Sequence, residues 1–163
     1  MPKIKYIFTD FDGVLTDNKV YVSSNGEEAV VCNRSDGLAI NAFKKVGIQT
    51  FIISTEKNNV VEERGKKLGI DAFYGIKNKK GFLKKFFIDN EISPEECLYI
   101  GNDINDIGAI SLSKYSACPS DSHSNLKDKV TIILETKGGD GVLREIAEDF
   151  LNLDLIDLLG YNM

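Results

Sequence analysis

The sequence predicts an α/β domain, a doubly wound parallel sheet with helices on both faces and one small β-hairpin insertion. Three observations predict it. Short apolar runs alternate with longer segments of helical period. The 163 residues suit one core, with no repeat, low-complexity tract or linker to divide them. Polar clusters stand at the ends of the apolar runs, where ligands bind in such sheets.

The elements follow in order. Residues 3–9 (KIKYIFT) read as the first strand, and 36–47 (DGLAINAFKKVG) as a helix ended by Gly47. The run 49–54 (QTFIIS) is the next strand, followed by a helix over 56–69 closing on Gly69. A short strand over 70–75, a helix over 79–90 and a strand over 96–101 continue the rhythm. A helix over 106–114, a last strand over 129–135 and a helix over 140–153 complete it. One stretch breaks the pattern: residues 18–33 hold two β-rich runs around Ser-Asn-Gly, a hairpin signature. It serves either as decoration or as an oligomer contact.

Composition excludes several classes. With 42% apolar and 28% charged residues the chain is an ordinary globular one. A net charge of −5 gives no electrostatic reason to expect nucleic acid or an anionic membrane as partner. No run approaches the ~18 apolar residues of a membrane span. The opening MPKIKYIFTD enters a strand at once and lacks signal-peptide architecture, so a cytoplasmic location is expected. Cys32, Cys97 and Cys118 are odd in number and scattered, which fits reduced, buried thiols. The single histidine, His123, lies in the polar stretch PSDSHSN and reads as a loop residue. Catalysis must then run on carboxylates, hydroxyls and lysines.

The first strand delivers DFDGVLTD, 10–17. At a period of two, Asp10 and Asp12 point to one side and Phe11 to the other, and Gly13 allows a tight turn. Two carboxylates this close resist joint ionisation unless a cation lies between them. Alone, the pair serves equally well as a cap at a strand-to-loop turn. The second strand delivers Ser54 and Thr55 before a helix, either an N-cap or a cradle for a phosphate. Lys79 begins the run KKGFLKK, either a solvated face or a phosphate holder. A later strand delivers GNDIND, 101–106, which crowds Asn102, Asp103, Asn105 and Asp106 into five positions.

Taken in order, DFDGVLTD, Ser54, Lys79 and GNDIND resemble the four motifs of the haloacid dehalogenase superfamily of phosphohydrolases. The hairpin, NRSDG (33–37) and KGGDGVLRE (137–145) narrow the resemblance to a cap-less group. That group includes 3-deoxy-octulosonate 8-phosphate phosphatase, nonulosonate 9-phosphate phosphatases and the C-terminal domain of sialic acid cytidylyltransferases. The resemblance implies Asp10 as nucleophile and Asp12 as general acid and base. It implies Mg²⁺ held by Asp10, Asp12, Asn102 and Asp103, with Ser54, Thr55 and Lys79 on the phosphoryl oxygens and Asp106 in support.

For the substrate, the resemblance implies an acidic 2-keto-3-deoxy sugar phosphate met by Asn33, Arg34, Ser35, Asp36 and Gly37, and by Glu56, Arg64 and Lys67 on the next segment. Ser35 or Asp36 is also a candidate N-cap, Asp140 another, and Arg64 with Lys67 equally a solvated basic face. Glu56 stands where the octulosonate enzymes carry Gly-Arg after the hydroxyl, and a carboxylate there favours hydroxyl-rich contacts. That favours a nonulosonate 9-phosphate, with octulosonate 8-phosphate next. The group's pattern also implies a homotetramer, with hairpins forming a central barrel and the glycine-rich tail reaching a neighbouring site. Asn102 departs from the pattern, since an Asp is usual there. It supports the alternative of a catalytically weak domain serving assembly beside a cytidylyltransferase.

Overall fold

The computed structural model describes residues 3–162. Strand β1 (Tyr6–Thr9) lies at the centre of a six-stranded sheet. On one side it pairs with β4 (Gln49–Ile53), which pairs with β5 (Asp71–Phe73). On the other side β6 (Cys97–Ile100), β7 (Tyr115–Cys118) and β8 (Ile132–Ile133) follow outward. Every pairing is parallel, with Tyr6 opposite both Gln49 and Cys97. All six carboxyl ends therefore open on one edge, and the polar clusters gather there.

The alternation of side chains along β1 divides the core in two. Ile7 faces a layer with Ile52, Leu98 and Ile100 that packs on α1 (Ser35–Lys45), α2 (Val60–Leu68) and α6 (Val142–Glu145). Phe8 faces the other way, with Phe51 and Tyr99, onto Leu83 and Phe87 of α3 (Lys79–Asp89). The Phe8 and Phe51 rings stack at 5.2 Å, and Phe86 meets Phe51 edge-on at the same distance. With both faces covered, β1 and β6 read as continuous apolar runs, which is why they stand out in the sequence.

Several elements differ from expectation. Strand β7 falls between the expected helix over 106–114 and the expected strand over 129–135, where no element is expected, because its sequence YSAC offers no apolar run. The preceding helix is a single 3-10 turn plus α4 (Ile107–Ile110), not a continuous helix to residue 114. Helix α2 starts at Val60 rather than 56, because Glu56 Oε1 accepts from the amides of Lys57 and Asn58 and holds that stretch as a loop. The closing helix breaks into α6, a π-helical turn at Ile146–Phe150 and α7 (Leu155–Leu159). The inserted hairpin is confirmed as β2 (Tyr21–Val22) paired antiparallel with β3 (Glu28–Ala29), outside the main sheet. A four-residue helix α5 (Ser124–Lys127) follows β7, with His123 as its N-cap.

Candidate active site

Asp10 leaves β1 with its amide still bonded to the Ile100 carbonyl at 2.8 Å, so the strand pairing fixes its place. Its Oδ1 accepts from the Phe11 amide at 2.7 Å and meets Lys79 Nζ at 2.9 Å. Lys79 sits at the start of α3, 2% exposed, where Asn78 caps the helix by accepting from the Gly81 amide at 2.9 Å. The same ammonium meets Asp106 Oδ1 at 2.8 Å. Asp106 also accepts from the Tyr99 hydroxyl at 2.8 Å and from the amides of Asn102 and Asp103 at 3.0 and 3.3 Å. Four donors thus fold the 101–106 turn around one buried carboxylate.

Two carboxylates flank one ammonium, which leaves surplus negative charge. Burial first, then the charge of Asp106, push the Asp10 carboxyl up to about 8 against the pull of Lys79. For Lys79, desolvation pulls downward, but Asp10 and Asp106 together outweigh it and hold the ammonium above its ordinary value. Asp12 is raised by burial, against a hydrogen bond from Thr16 Oγ1 at 3.2 Å, and raised further by the charge of Glu56.

Asp10, Asp12, Ser54, Thr55, Asn102, Asp103 and Asn105 line one cleft of about 280 Å³. Ser54 is buried, its amide bonded to the Phe73 carbonyl and its Oγ accepting from the Glu56 amide at 3.1 Å. Ser54 therefore caps no helix; α2 begins after Asn59. The two motif loops touch at Gly13, whose φ is +81° and where a Cβ would lie 1.9 Å from Asn102 Nδ2. Gly13 is bare because Asn102 occupies the space a side chain would need. Asn105 lines the cleft, and Asp106 ties the turn.

The expected substrate residues separate into four groups. Asp12, Asn18, Glu28 and Glu56 line a hollow of about 220 Å³ walled by Val20, Val30 and Val60. Arg34, Gly37, Arg64 and Lys67 line a second groove, of about 450 Å³, beside Cys32 and Leu68. Asn33 and Ser35 hold the loop between them: Asn33 Oδ1 accepts from the Ser35 amide and hydroxyl, and its carbonyl accepts from Arg64 Nη2 at 3.1 Å. Asp36 belongs to neither hollow. It is 1% exposed and turned inward, accepting from the Leu143 amide at 2.9 Å. Neither Ser35 nor Asp36 caps α1, and Gly141 rather than Asp140 occupies the N-cap position of α6.

Comparison with known proteins decides the family. A haloacid dehalogenase-like hydrolase profile matches residues 70–146. The chain is 30% identical over 152 residues to 3-deoxy-D-manno-octulosonate 8-phosphate phosphatase of Haemophilus influenzae, spanning 93% of this chain and 84% of that one. It is 32% identical over 146 residues to the Escherichia coli K12 enzyme of the same name, spanning 89% and 78%. The chain belongs to the haloacid dehalogenase-like hydrolases.

Among solved structures, the Moraxella catarrhalis 3-deoxy-D-manno-octulosonate 8-phosphate phosphatase superposes with a TM-score of 0.87 at 28% identity, covering 96% of this chain and 88% of that one. That structure holds a magnesium ion, a phosphate ion and a KDO molecule. The present chain is a phosphatase acting on phosphoric monoesters. Among its described residues no helix is long and apolar enough to cross a membrane.

Three residues of this hydrolase's site escaped the sequence reading. Tyr99 looked like one more apolar member of β6, yet its hydroxyl donates to Asp106. Thr16, inside DFDGVLTD, reaches back to Asp12. Asn18 lines both the cleft and the adjoining hollow from a left-handed conformation, φ 66°. A polar residue that tolerates that conformation, placed just after the first motif, was its one available signal.

The donor set suits a hard divalent cation. Among the described residues no three His, Cys, Asp or Glu side chains close into a metal cage. The cleft instead offers the carboxylates of Asp10, Asp12 and Asp103 and the Asn102 amide, an open arrangement of the kind Mg²⁺ occupies while keeping several waters. The surplus negative charge that raises the Asp10 carboxyl is what such a cation would neutralise.

Proposed function

We propose that this phosphatase removes the terminal phosphate of an acidic 2-keto-3-deoxy sugar, with a nonulosonate 9-phosphate favoured and an octulosonate 8-phosphate next. The observation that carries the reading is the contact of buried Lys79 with Asp10 in a cleft that Asp12, Ser54 and Asn102 also line. In this reading a nucleophile, a second carboxylate, a phosphate-binding cation and a hydroxyl share one small volume.

In this reading Asp10 attacks phosphorus through an oxygen and forms an aspartyl-phosphate, which splits one slow hydrolysis into two faster steps. Asp12 gives its proton to the departing sugar oxygen and then takes one from the attacking water. The upward push on the Asp12 carboxyl suits the first of these tasks, since an acid must hold its proton to donate it. Lys79 and Ser54, with Thr55 at the rim, stabilise the equatorial oxygens of the transferring group. Mg²⁺, held by Asp10, Asp12, Asn102 and Asp103, would supply charge neutralisation at the phosphoryl group.

Support for the substrate class comes from the two relatives named as octulosonate 8-phosphate phosphatases and from the ligands of the Moraxella structure. Within this chain, Glu28 and Glu56 face the hollow beside Asp12 and favour hydroxyl donors there. Arg34, Arg64 and Lys67 offer a groove for a carboxylate further along α2. The hairpin supports the homotetramer: Tyr21 and Val22 are 69% and 64% exposed, an apolar face that a second copy of this chain would cover. Asn102 favours the second reading, a weakened domain serving assembly, because an amide brings no charge to the cation.

The purified protein assayed against sugar acid phosphates, with and without EDTA, tests the proposal. Metal-dependent phosphate release that Asp10→Asn abolishes is expected. Release that survives both EDTA and Asp10→Asn would overturn the mechanism, and no release from any ester would favour the assembly reading.

A further inference from the structure

The glycine-rich stretch 137–145 lies against this chain's own first motif. Gly138 is buried so tightly on the 13–17 loop that a Cβ there would stand 2.1 Å from the Gly13 carbonyl oxygen. At Gly139 a Cβ would meet the Asp17 amide nitrogen at 2.5 Å, and the Gly139 amide donates to the Val14 carbonyl at 3.0 Å. Gly141 packs against the Ser35 hydroxyl, where a Cβ would lie at 2.6 Å. The stretch is thus a backbone strap pressed flat on the loop that carries Asp12, and Thr16 of that loop donates to Asp12 itself.

What holds the strap down comes from elsewhere in the chain. Buried Asp36, in the first turn of α1, accepts from the Leu143 amide and so caps α6, the helix that continues the strap. No side chain of α6's own N-terminal turn does that work. Orphan amides at a helix start need an acceptor, and here the acceptor sits on a helix far away in sequence. At the strap's other end, Asp121 Oδ1 accepts from the Gly138 amide at 2.9 Å, and the nearby His123 amide donates to the Asn102 carbonyl at 2.9 Å.

We infer that Asp36 is a positioning residue for the general acid: by capping α6 it keeps the Gly138–Gly139 strap on the 13–17 loop, and the loop keeps Asp12 aimed at the leaving oxygen. This inference rests on the phosphatase reading of Asp12. Asp36 never touches substrate in this account, which is why its burial and its distance from both hollows fit the role.

The test compares two esters of similar size. Nitrophenolate departs from p-nitrophenyl phosphate without needing a proton, whereas the more basic phenolate of phenyl phosphate benefits from one. General acid catalysis is worth roughly 10²–10⁴-fold, so partial misplacement of Asp12 should lower kcat on phenyl phosphate about tenfold more than on p-nitrophenyl phosphate. That excess is expected for Asp36→Ala and for Gly138→Ala, with Asp36→Asn, which keeps an acceptor oxygen, recovering most of it. Thermal midpoints recorded alongside separate this from loss of fold, and Gly138→Ala carries the test if Asp36→Ala does not fold. Equal losses on both esters, or no loss, would overturn the inference. Wild-type protein inactive on both would overturn the phosphatase reading itself, and this role with it.

Discussion

The two walls of the candidate site, the cleft taken with its adjoining hollow, are built differently. The wall of Asp10, Lys79, Asp106 and Tyr99 is buried, and its polar groups are bonded to one another at 2.8–2.9 Å. The wall made by the hairpin and the 30–34 stretch rests on two strands of two residues each, with Val20, Tyr21, Val22 and Val31 all about half exposed or more. In the proposed reading the rigid wall holds the phosphate and the chemistry common to all phosphomonoesters, and the open wall meets the sugar and sets selectivity.

Breaking the rigid wall should have the largest effect. Asp106→Ala leaves the Tyr99 hydroxyl and the Asn102 and Asp103 amides without their acceptor, so at about 1–3 kcal/mol per buried unsatisfied donor it should cost about 3–5 kcal/mol of stability. It should also lower kcat severely. Urea unfolding midpoints and phosphate release check both, and a cost below ~1 kcal/mol would show that the wall is not the cooperative unit described.

Asn102→Asp sharpens the charge on the same wall without changing its shape. It should reduce the Mg²⁺ concentration for half-maximal rate several-fold, since one added charge near a cation is worth on the order of 1 kcal/mol even when well screened. An unchanged requirement would remove Asn102 from the metal.

Asp36 gives a third, smaller effect, read through pH. Burial pushes its carboxyl from 3.8 up to about 6, against the Leu143 amide and Arg64, which pull it down. The folded state then holds a proton more tightly than the unfolded one, so this group's contribution to stability falls as pH rises from about 4 through about 6. Asp36→Asn should flatten that part of the stability profile. A difference between variant and wild type that stays constant across the window would argue against it.

On the open wall, Tyr21→Ser should change the unfolding free energy of the isolated chain by no more than ~0.5 kcal/mol, as for other exposed positions. What it should change is the mass in solution, measured by light scattering. A tetramer that survives the substitution would place the contact elsewhere.

The rigid wall was the more legible in the sequence. Asp10, Ser54 and the Gly101–Asp106 cluster each follow a short, continuous apolar run, and such runs mark buried parallel strands, so their order along the chain predicted their meeting in space. Lys79 joined them through a helix start. What escaped depends on partners distant in sequence. β7 is apolar by burial, not by composition. Asp36 looked like a substrate or N-cap residue because its true acceptor role serves a helix that begins at Val142. The strap's glycines carry no hint of what they press against, since a bare Cα reports a close neighbour without naming it.

The contact between Gly13 and Asn102 has an evolutionary consequence. Each position limits what the other can become: a side chain at 13 is blocked while 102 keeps its amide, and the +81° backbone adds a second barrier. The two sites should therefore change in concert and in a fixed order, with residue 102 shrinking before residue 13 can grow. At this point of touch the first and last of the four motifs constrain each other's side chains.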